Sequence, residues 1–158
     1  MKFHLTSSQR NFYIDKFDSS FALWNQGGMD IFSRVYDYNE LNTAFNSLMK
    51  TFDNLRLRFD FKSAEPRLYV DEFCFKEYPF LFFETEEDLY EASNQFTSNP
   101  IKLNEELIKC IIFQTPTKSG FIFTVHHIII DGFSTQIMAD FFDNYLNGRP
   151  YIPEKIQS

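Results

Sequence analysis

The chain has little of several things that define whole classes of protein. In 158 residues it has two cysteines, one tryptophan, three histidines, five glycines and six prolines. Two cysteines cannot staple a disulfide scaffold. Cys74 and Cys110 each sit in an apolar, strand-like run, where a cysteine reads as a small buried hydrophobe in a reducing compartment. No C-x-x-C, no H-x-x-x-H and no carboxylate cluster at ligand spacing occurs, so no metal site is expected. Basic charge is scarce too: 15 Lys and Arg face 22 Asp and Glu, for a net charge of −7. The basic residues are scattered rather than clustered, which excludes the phosphate-binding patch that nucleic acids require. There is no apolar run long enough to span a bilayer, about 18 residues, and the opening MKFHLTSSQR has no apolar signal-peptide core. The expectation is a cytoplasmic protein with neither membrane nor nucleic-acid partner and no internal repeat.

What the chain does have is apolar and aromatic mass. Hydrophobic residues make up 44%, enough for one domain with a substantial core, and 21 Phe and 8 Tyr exceed what one core of this size needs. Some of that aromatic surface is therefore expected to face a partner or a further piece of protein.

Periodicity divides the chain into alternating elements. Thr6 can cap a helix over Ser7 to Lys16, and Gly28 to Tyr36 reads as a strand. Asp37 or Asn39 can cap a helix through Met49, where Leu41, Ala44, Phe45, Leu48, Met49 and Phe52 keep the helical spacing. From Leu55 the period drops to two, with Leu55, Leu57, Phe59 and Phe61 toward a core and Arg56, Arg58, Asp60 and Lys62 away from it. Ser63 to Pro66 is a turn, and Leu68 to Phe75 and Phe80 to Glu84 read as strands. Thr85 followed by Glu86, Glu87 and Asp88 starts a helix that stops near Asn99-Pro100, because acids in a first turn meet the positive end of the helix dipole. Leu107 to Gln114 and Gly120 to Ile130 form a hairpin about Thr115 to Ser119. A last helix carries Ile137, Met138, Phe141, Phe142 and Tyr145 and ends at Gly148-Arg149-Pro150. The class expected is α/β, with a mixed, mostly antiparallel sheet packed with helices.

The chemistry concentrates in His126-His127-Ile128-Ile129-Ile130-Asp131-Gly132. Alternation along this strand puts His127 on the face of Phe121, Phe123, Val125 and Ile129 and His126 on the opposite one. The two imidazoles then cannot serve one substrate together. A histidine at a strand end, just before Asp-Gly breaks the chain, is well placed as a base or hydrogen-bond acceptor. The competing reading is that both histidines are satisfied core residues, and an Asp before Gly more often anchors a turn than does chemistry. Ser134 reads as a helix cap rather than a nucleophile.

These seven residues resemble the His-His-x-x-x-Asp-Gly signature of the condensation domains of nonribosomal peptide synthetases, relatives of chloramphenicol acetyltransferase. Thr6-Ser7-Ser8-Gln9 with Phe12-Tyr13 resembles the family's opening Ser-x-Ala-Gln-x-x-Leu-Trp motif. Leu55-Arg56-Leu57-Arg58-Phe59 resembles the end of its second motif, with Phe52 and Asp53 in place of that motif's His-Glu. Pro100-Ile101-Lys102-Leu103 and Leu107-Ile108-Lys109 resemble the approach to the active-site hairpin. The resemblance covers the whole chain and implies a chloramphenicol acetyltransferase-like N-terminal lobe over residues 1–158, with the C-terminal lobe absent.

It also implies a function and roles. His127 is the implied catalytic residue in amide bond formation between an acyl or peptidyl thioester and an aminoacyl thioester. Both substrates ride on the phosphopantetheine of carrier proteins, and no cofactor binds directly. Asp131 is implied to be structural, paired with Arg56, or with Arg58 as the same-face alternative, and Gly132 allows close backbone approach. Gly132 after Asp131 favours condensation over epimerisation, and the histidine pair disfavours heterocyclisation. Two alternatives stand beside this: a carrier-binding lobe without chemistry, and an ester-forming or free-standing acyltransferase relative. The partners implied are carrier proteins and the other lobe, with self-association of a lone lobe through its uncovered surface.

Overall fold

The computed structural model describes residues 2–4, 25–62, 64–129 and 135–149. The elements in chain order are β1 (Lys2–His4), β2 (Asn25–Phe32), α1 (Tyr38–Thr51), β3 (Leu57–Asp60), β4 (Arg67–Val70), β5 (Phe80–Phe82), α2 (Glu86–Ser98), β6 (Ile108–Gln114), β7 (Ser119–His126) and α3 (Thr135–Leu146). Short 3-10 turns cover Asp53–Arg56 and His127–Ile129. The helix expected over Ser7 to Lys16 and the motif from Thr6 to Tyr13 lie outside the described residues.

The strands form two sheets rather than one. β1-β4-β3 is antiparallel throughout, and β2-β7-β6-β5 is antiparallel except where β5 runs parallel to β6. β7 is central and buried at every position. One face, through Phe121, Phe123 and Val125, packs on Phe45 and Leu48 of α1 and Met138 and Phe142 of α3. The opposite face, through Ile122, meets Leu89 of α2 with Phe113. The aromatic load is largely spent on the first face, where Phe121 and Phe142 lie with ring centroids 4.5 Å apart. At Gly120 the chain has no room for a side chain, because a Cβ would lie 1.9 Å from the Asp30 carbonyl oxygen.

Local signals set the helix ends. Asp37, not Asn39, caps α1, its Oδ1 accepting from the Glu40 N–H at 2.8 Å. Thr85 caps α2 in the same way through the Asp88 N–H. α3 closes at Gly148, which has φ of 69°. The hairpin turn is held by Thr115, whose backbone N–H donates to the Lys118 carbonyl at 2.8 Å.

Several strands have other limits than the periodicity predicts. β2 spans Asn25–Phe32 instead of Gly28 to Tyr36, because its partner β7 begins at Ser119, opposite Phe32. Beyond that point side chains take over: Tyr36 donates its N–H to Ser119 Oγ, and Gln114 Nε2 donates to the Tyr36 carbonyl. β4 stops at Val70, which pairs with Leu57, the first residue of β3, so Leu68 to Phe75 is a strand only in its first part. Residues 53–56 are a 3-10 turn, so β3 begins at Leu57 rather than Leu55. Its alternation fails at the far end: Asp60 is buried and Phe61 exposed, because Asp60 Oδ1 turns the chain by accepting from the Lys62 N–H. Cys110 is buried as expected, but Cys74 is exposed, since the segment that carries it leaves the sheet. The remaining aromatic excess is at the surface: Phe75, Phe80, Phe82 and Tyr90 are exposed, with Leu81 beside them on the edge strand β5.

Candidate active site

β7 stops at His126, four residues earlier than the apolar run suggests. The His126 N–H makes the last rung, donating to the Leu107 carbonyl at 2.8 Å. His127 then opens a 3-10 turn, so its direction is set by that turn and not by strand alternation. His126 is fully buried, and its Nδ1 accepts from the Ile128 N–H at 3.1 Å. Burial, and then the neighbouring His127, bring its pKa down to about 4. His126 is therefore the buried, neutral member of the pair. His127 is half-buried and the more accessible of the two. Ile128 returns to the core beside Val125 and Met138.

Asp131, Gly132 and Ser134 lie outside the described residues. Arg56, the expected partner of Asp131, sits where α1 ends and β3 begins. Its Nε donates to the Asp71 carbonyl at 3.0 Å, its Nη1 to the carbonyls of Met49 and Lys50, and its Nη2 to Asp53 Oδ1 at 2.8 Å. It caps the negative end of α1 and ties down the chain that follows β4. Arg58, the alternative, reaches Asp71 Oδ2 at 3.5 Å.

These arginines line a cleft of about 80 Å³ with Met49, Phe73, Lys76 and Leu107. Leu107 accepts the last rung of β7, so the cleft lies one strand from the histidine pair. Its outer wall is the irregular stretch after β4, held by two residues that the periodicity passed over. Asn42 and Asn46 are buried on α1. Asn46 Oδ1 accepts from the Lys76 N–H and its Nδ2 donates to the Lys76 carbonyl, both at 2.9 Å. Asn42 Oδ1 accepts from the Tyr78 N–H at 3.0 Å, and Tyr38 Oη donates to the Tyr78 carbonyl at 2.7 Å. The available signal was two amides at i, i+4 spacing inside the apolar face of a helix.

A second unexpected group is Asp30. Its Oδ2 is buried and meets no hydrogen-bond donor among the described residues, and burial raises its pKa to about 6. It pairs in register with Phe121, at the far end of β7 from His126, which pairs with Asn25, so Asp30 is no part of the histidine site. Among the described residues no group of three or more His, Cys, Asp or Glu side chains could hold a metal ion, and no helix is long and apolar enough to cross a membrane.

Comparisons with known proteins identify the family. The condensation-domain family model matches residues 2–158. Bacitracin synthase 1 of Bacillus licheniformis is 24% identical over 147 residues, which is 87% of this chain and 3% of that protein. Gramicidin S synthase 2 of Aneurinibacillus migulanus is 28% identical over 132 residues, 82% of this chain and 3% of that protein. The starter condensation domain of rhizomide synthetase superposes with a TM-score of 0.81 at 15% identity, over 97% of this chain and 41% of that one. The epimerization domain from the third module of tyrocidine synthetase B gives 0.73 at 19% identity, over 96% and 36%. The chain thus spans well under half of each solved domain and a small fraction of each synthetase. Its fold is the α/β, chloramphenicol acetyltransferase-like arrangement, mixed and mostly antiparallel, and the chain belongs to the condensation-domain family.

Proposed function

We propose that residues 1–158 form the N-terminal lobe of a condensation domain and that His127, in the complete domain, serves amide bond formation between two carrier-bound thioesters. The observation that carries this is the asymmetry of the histidine pair: His126 is buried, neutral and bonded to its own turn, while His127 begins that turn half-buried. In the reaction the amine of the acceptor attacks the thioester carbonyl of the donor. His127 accepts a hydrogen bond from the amine and aligns its lone pair, and the C–N bond and the oxyanion form. The carbonyl then re-forms as the C–S bond breaks, and the released carrier thiolate takes up the proton that the amine nitrogen gives up through His127. Gly132 offers a backbone N–H to that oxyanion, and Asp131 with Arg56 holds the loop.

The test uses the complete domain with loaded carriers and follows product by mass spectrometry. His127→Ala keeps the fold and lowers turnover by about 10²–10⁴-fold, the usual worth of a positioned base. Asp131→Ala loses soluble protein instead, because the loop after the histidines loses its anchor. Full turnover by the His127 variant with carrier binding intact would establish the alternative, a carrier-binding lobe without chemistry. Product formed on an alcohol but not an amine acceptor would establish the ester-forming relative. The exposed β5 aromatics fit a surface that the other lobe covers, so the isolated chain self-associates; a monodisperse monomer in light scattering overturns that part.

A further inference from the structure

The apolar run that forms β7 continues through Ile130, yet the strand ends at His126. A buried backbone N–H needs an acceptor, and in a continuing strand the Ile128 N–H would take one from a neighbouring chain. Ile128 is 1% exposed, and its N–H turns back to the His126 ring, two residues earlier. The loop closed by this bond contains a single residue, His127.

The bond constrains the chemistry of the ring. Nδ1 can accept only when it carries no proton, so the neutral ring must hold its hydrogen on Nε2. Full burial favours that neutral form, and the cation that His127 would present next to it favours it further. The geometry resembles an Asx turn, in which a short side chain accepts from the N–H two residues on and redirects the chain.

We infer that His126 is a positioning residue, whose unprotonated Nδ1 closes the turn that takes His127 out of strand alternation and fixes its direction. The inference rests on the proposed role of His127 for its functional meaning, but the structural device is separate and can fail separately. In this role His126 acts through the backbone it bends.

Nitrogen-15 NMR on the 158-residue chain reads the device directly. In the wild type, His126 shows a bare Nδ1 and a protonated Nε2, and the Ile128 amide is protected from exchange. His126→Asn keeps an Oδ1 in reach of the Ile128 N–H, so amide protection and the His127 ring shifts stay near wild type. His126→Leu fills the space without an acceptor; Ile128 exchange speeds up at least about tenfold, the loss of one modest hydrogen bond, and the His127 shifts move. A proton found on Nδ1 of His126 in the wild type, or equal Ile128 protection in the leucine variant, overturns the inference. If the leucine variant does not fold, the wild-type tautomer still decides.

In the complete domain, the asparagine variant keeps kcat near wild type, while the leucine variant lowers kcat by about 10- to 100-fold at unchanged KM, as expected for a misplaced reacting group. A KM effect with unchanged kcat overturns positioning. An active His127→Ala enzyme with the NMR result intact overturns the catalytic role and leaves the turn standing.

Discussion

Two stretches of this chain leave their sheets and border the candidate site, and they are held in opposite ways. The stretch after β4 is gripped from outside: Asn42, Asn46 and Tyr38 of α1 take up the backbone groups of Lys76 and Tyr78, and the Pro79 carbonyl accepts from the Ile112 N–H. The stretch after β7 is held from within, where the Ile128 N–H donates to His126 Nδ1. Both satisfy the same requirement, that buried backbone must be hydrogen-bonded even where no strand is available. They differ in chemistry. The amides do not titrate and share the work; the imidazole loses its acceptor when it gains a proton. The wall of the cleft is thus held by several amides at once, and the turn that carries His127 is closed by a titratable ring.

Breaking the redundant clamp should have the largest effect. Asn46→Leu keeps volume but removes three bonds, to the Lys76 N–H, the Lys76 carbonyl and the Asn42 carbonyl. We expect a loss of about 4 kcal/mol, from three modest bonds plus a backbone N–H left without its acceptor. Urea unfolding followed by fluorescence measures it, as a lower midpoint at unchanged slope. A loss under about 1 kcal/mol would mean that Asn42 or water takes over, and that the clamp is even more redundant than its contacts indicate.

Acid should separate the two stretches next. The folded pKa of His126, about 4, is below its ordinary 6.5, so the folded state binds fewer protons than the unfolded chain between those values. The stability that neutral His126 contributes is present above pH 6.5 and is lost as pH falls through about 4, about 3 kcal/mol in all. Asp30 runs the other way. Its folded pKa, about 6, is above the ordinary 3.8, so its contribution is present below pH 3.8 and lost as pH rises through 6. Between pH 4 and 6 the two largely cancel. Asp30→Asn should therefore raise stability near pH 7 by about 1–3 kcal/mol, leave it unchanged near pH 4, and expose a steeper acid loss from His126. Hydrogen exchange gives the local version: Ile128 loses protection as pH falls toward 4, and Lys76 and Tyr78 do not, after correction for intrinsic rates. Parallel losses at all three amides would contradict the contrast.

The same contrast explains what could be read from the sequence. Elements with a periodic apolar face and a chemical end signal were legible: α1 with Asp37, α2 with Thr85 and its acids, α3 with Gly148, and the β6–β7 hairpin. Strand ends were not, because a strand stops where its partner stops, and partners are distant in sequence. The run ending at Ile130 stays apolar after the last paired residue and its neighbour His127, and the runs ending at Tyr36 and Phe75 return to apolar residues after Ser33-Arg34 and Asp71-Glu72. Alternation gave the histidines opposite faces, yet the direction of His127 comes from a side-chain bond that no periodicity contains. The buried Asn42 and Asn46 were invisible for a related reason: their partners lie 30 and more residues away. The motif that carries the family likeness was legible as residue types. The arrangement of its first histidine was not.

The smallest effect tests how far the outer wall depends on charge. Arg56 and Arg58 both reach Asp71, but differently. Arg56 uses Nε on the Asp71 carbonyl while its other nitrogens hold Met49, Lys50 and Asp53, and its side chain is 14% exposed. Arg58 contributes one long contact of 3.5 Å to the Asp71 carboxylate, which is itself 50% exposed. Water screens such a pair, and holding a long side chain in place offsets much of what remains. Arg58→Gln should cost no more than about 0.5 kcal/mol in urea unfolding and leave exchange at Lys76 and Tyr78 unchanged. Since the amide clamp already satisfies that backbone, removing a surface charge leaves nothing buried without a partner. A loss above about 1 kcal/mol, or faster exchange at Tyr78, would show that the ion pair holds the wall together with the amides, and the two stretches would then differ less than their hydrogen bonds indicate.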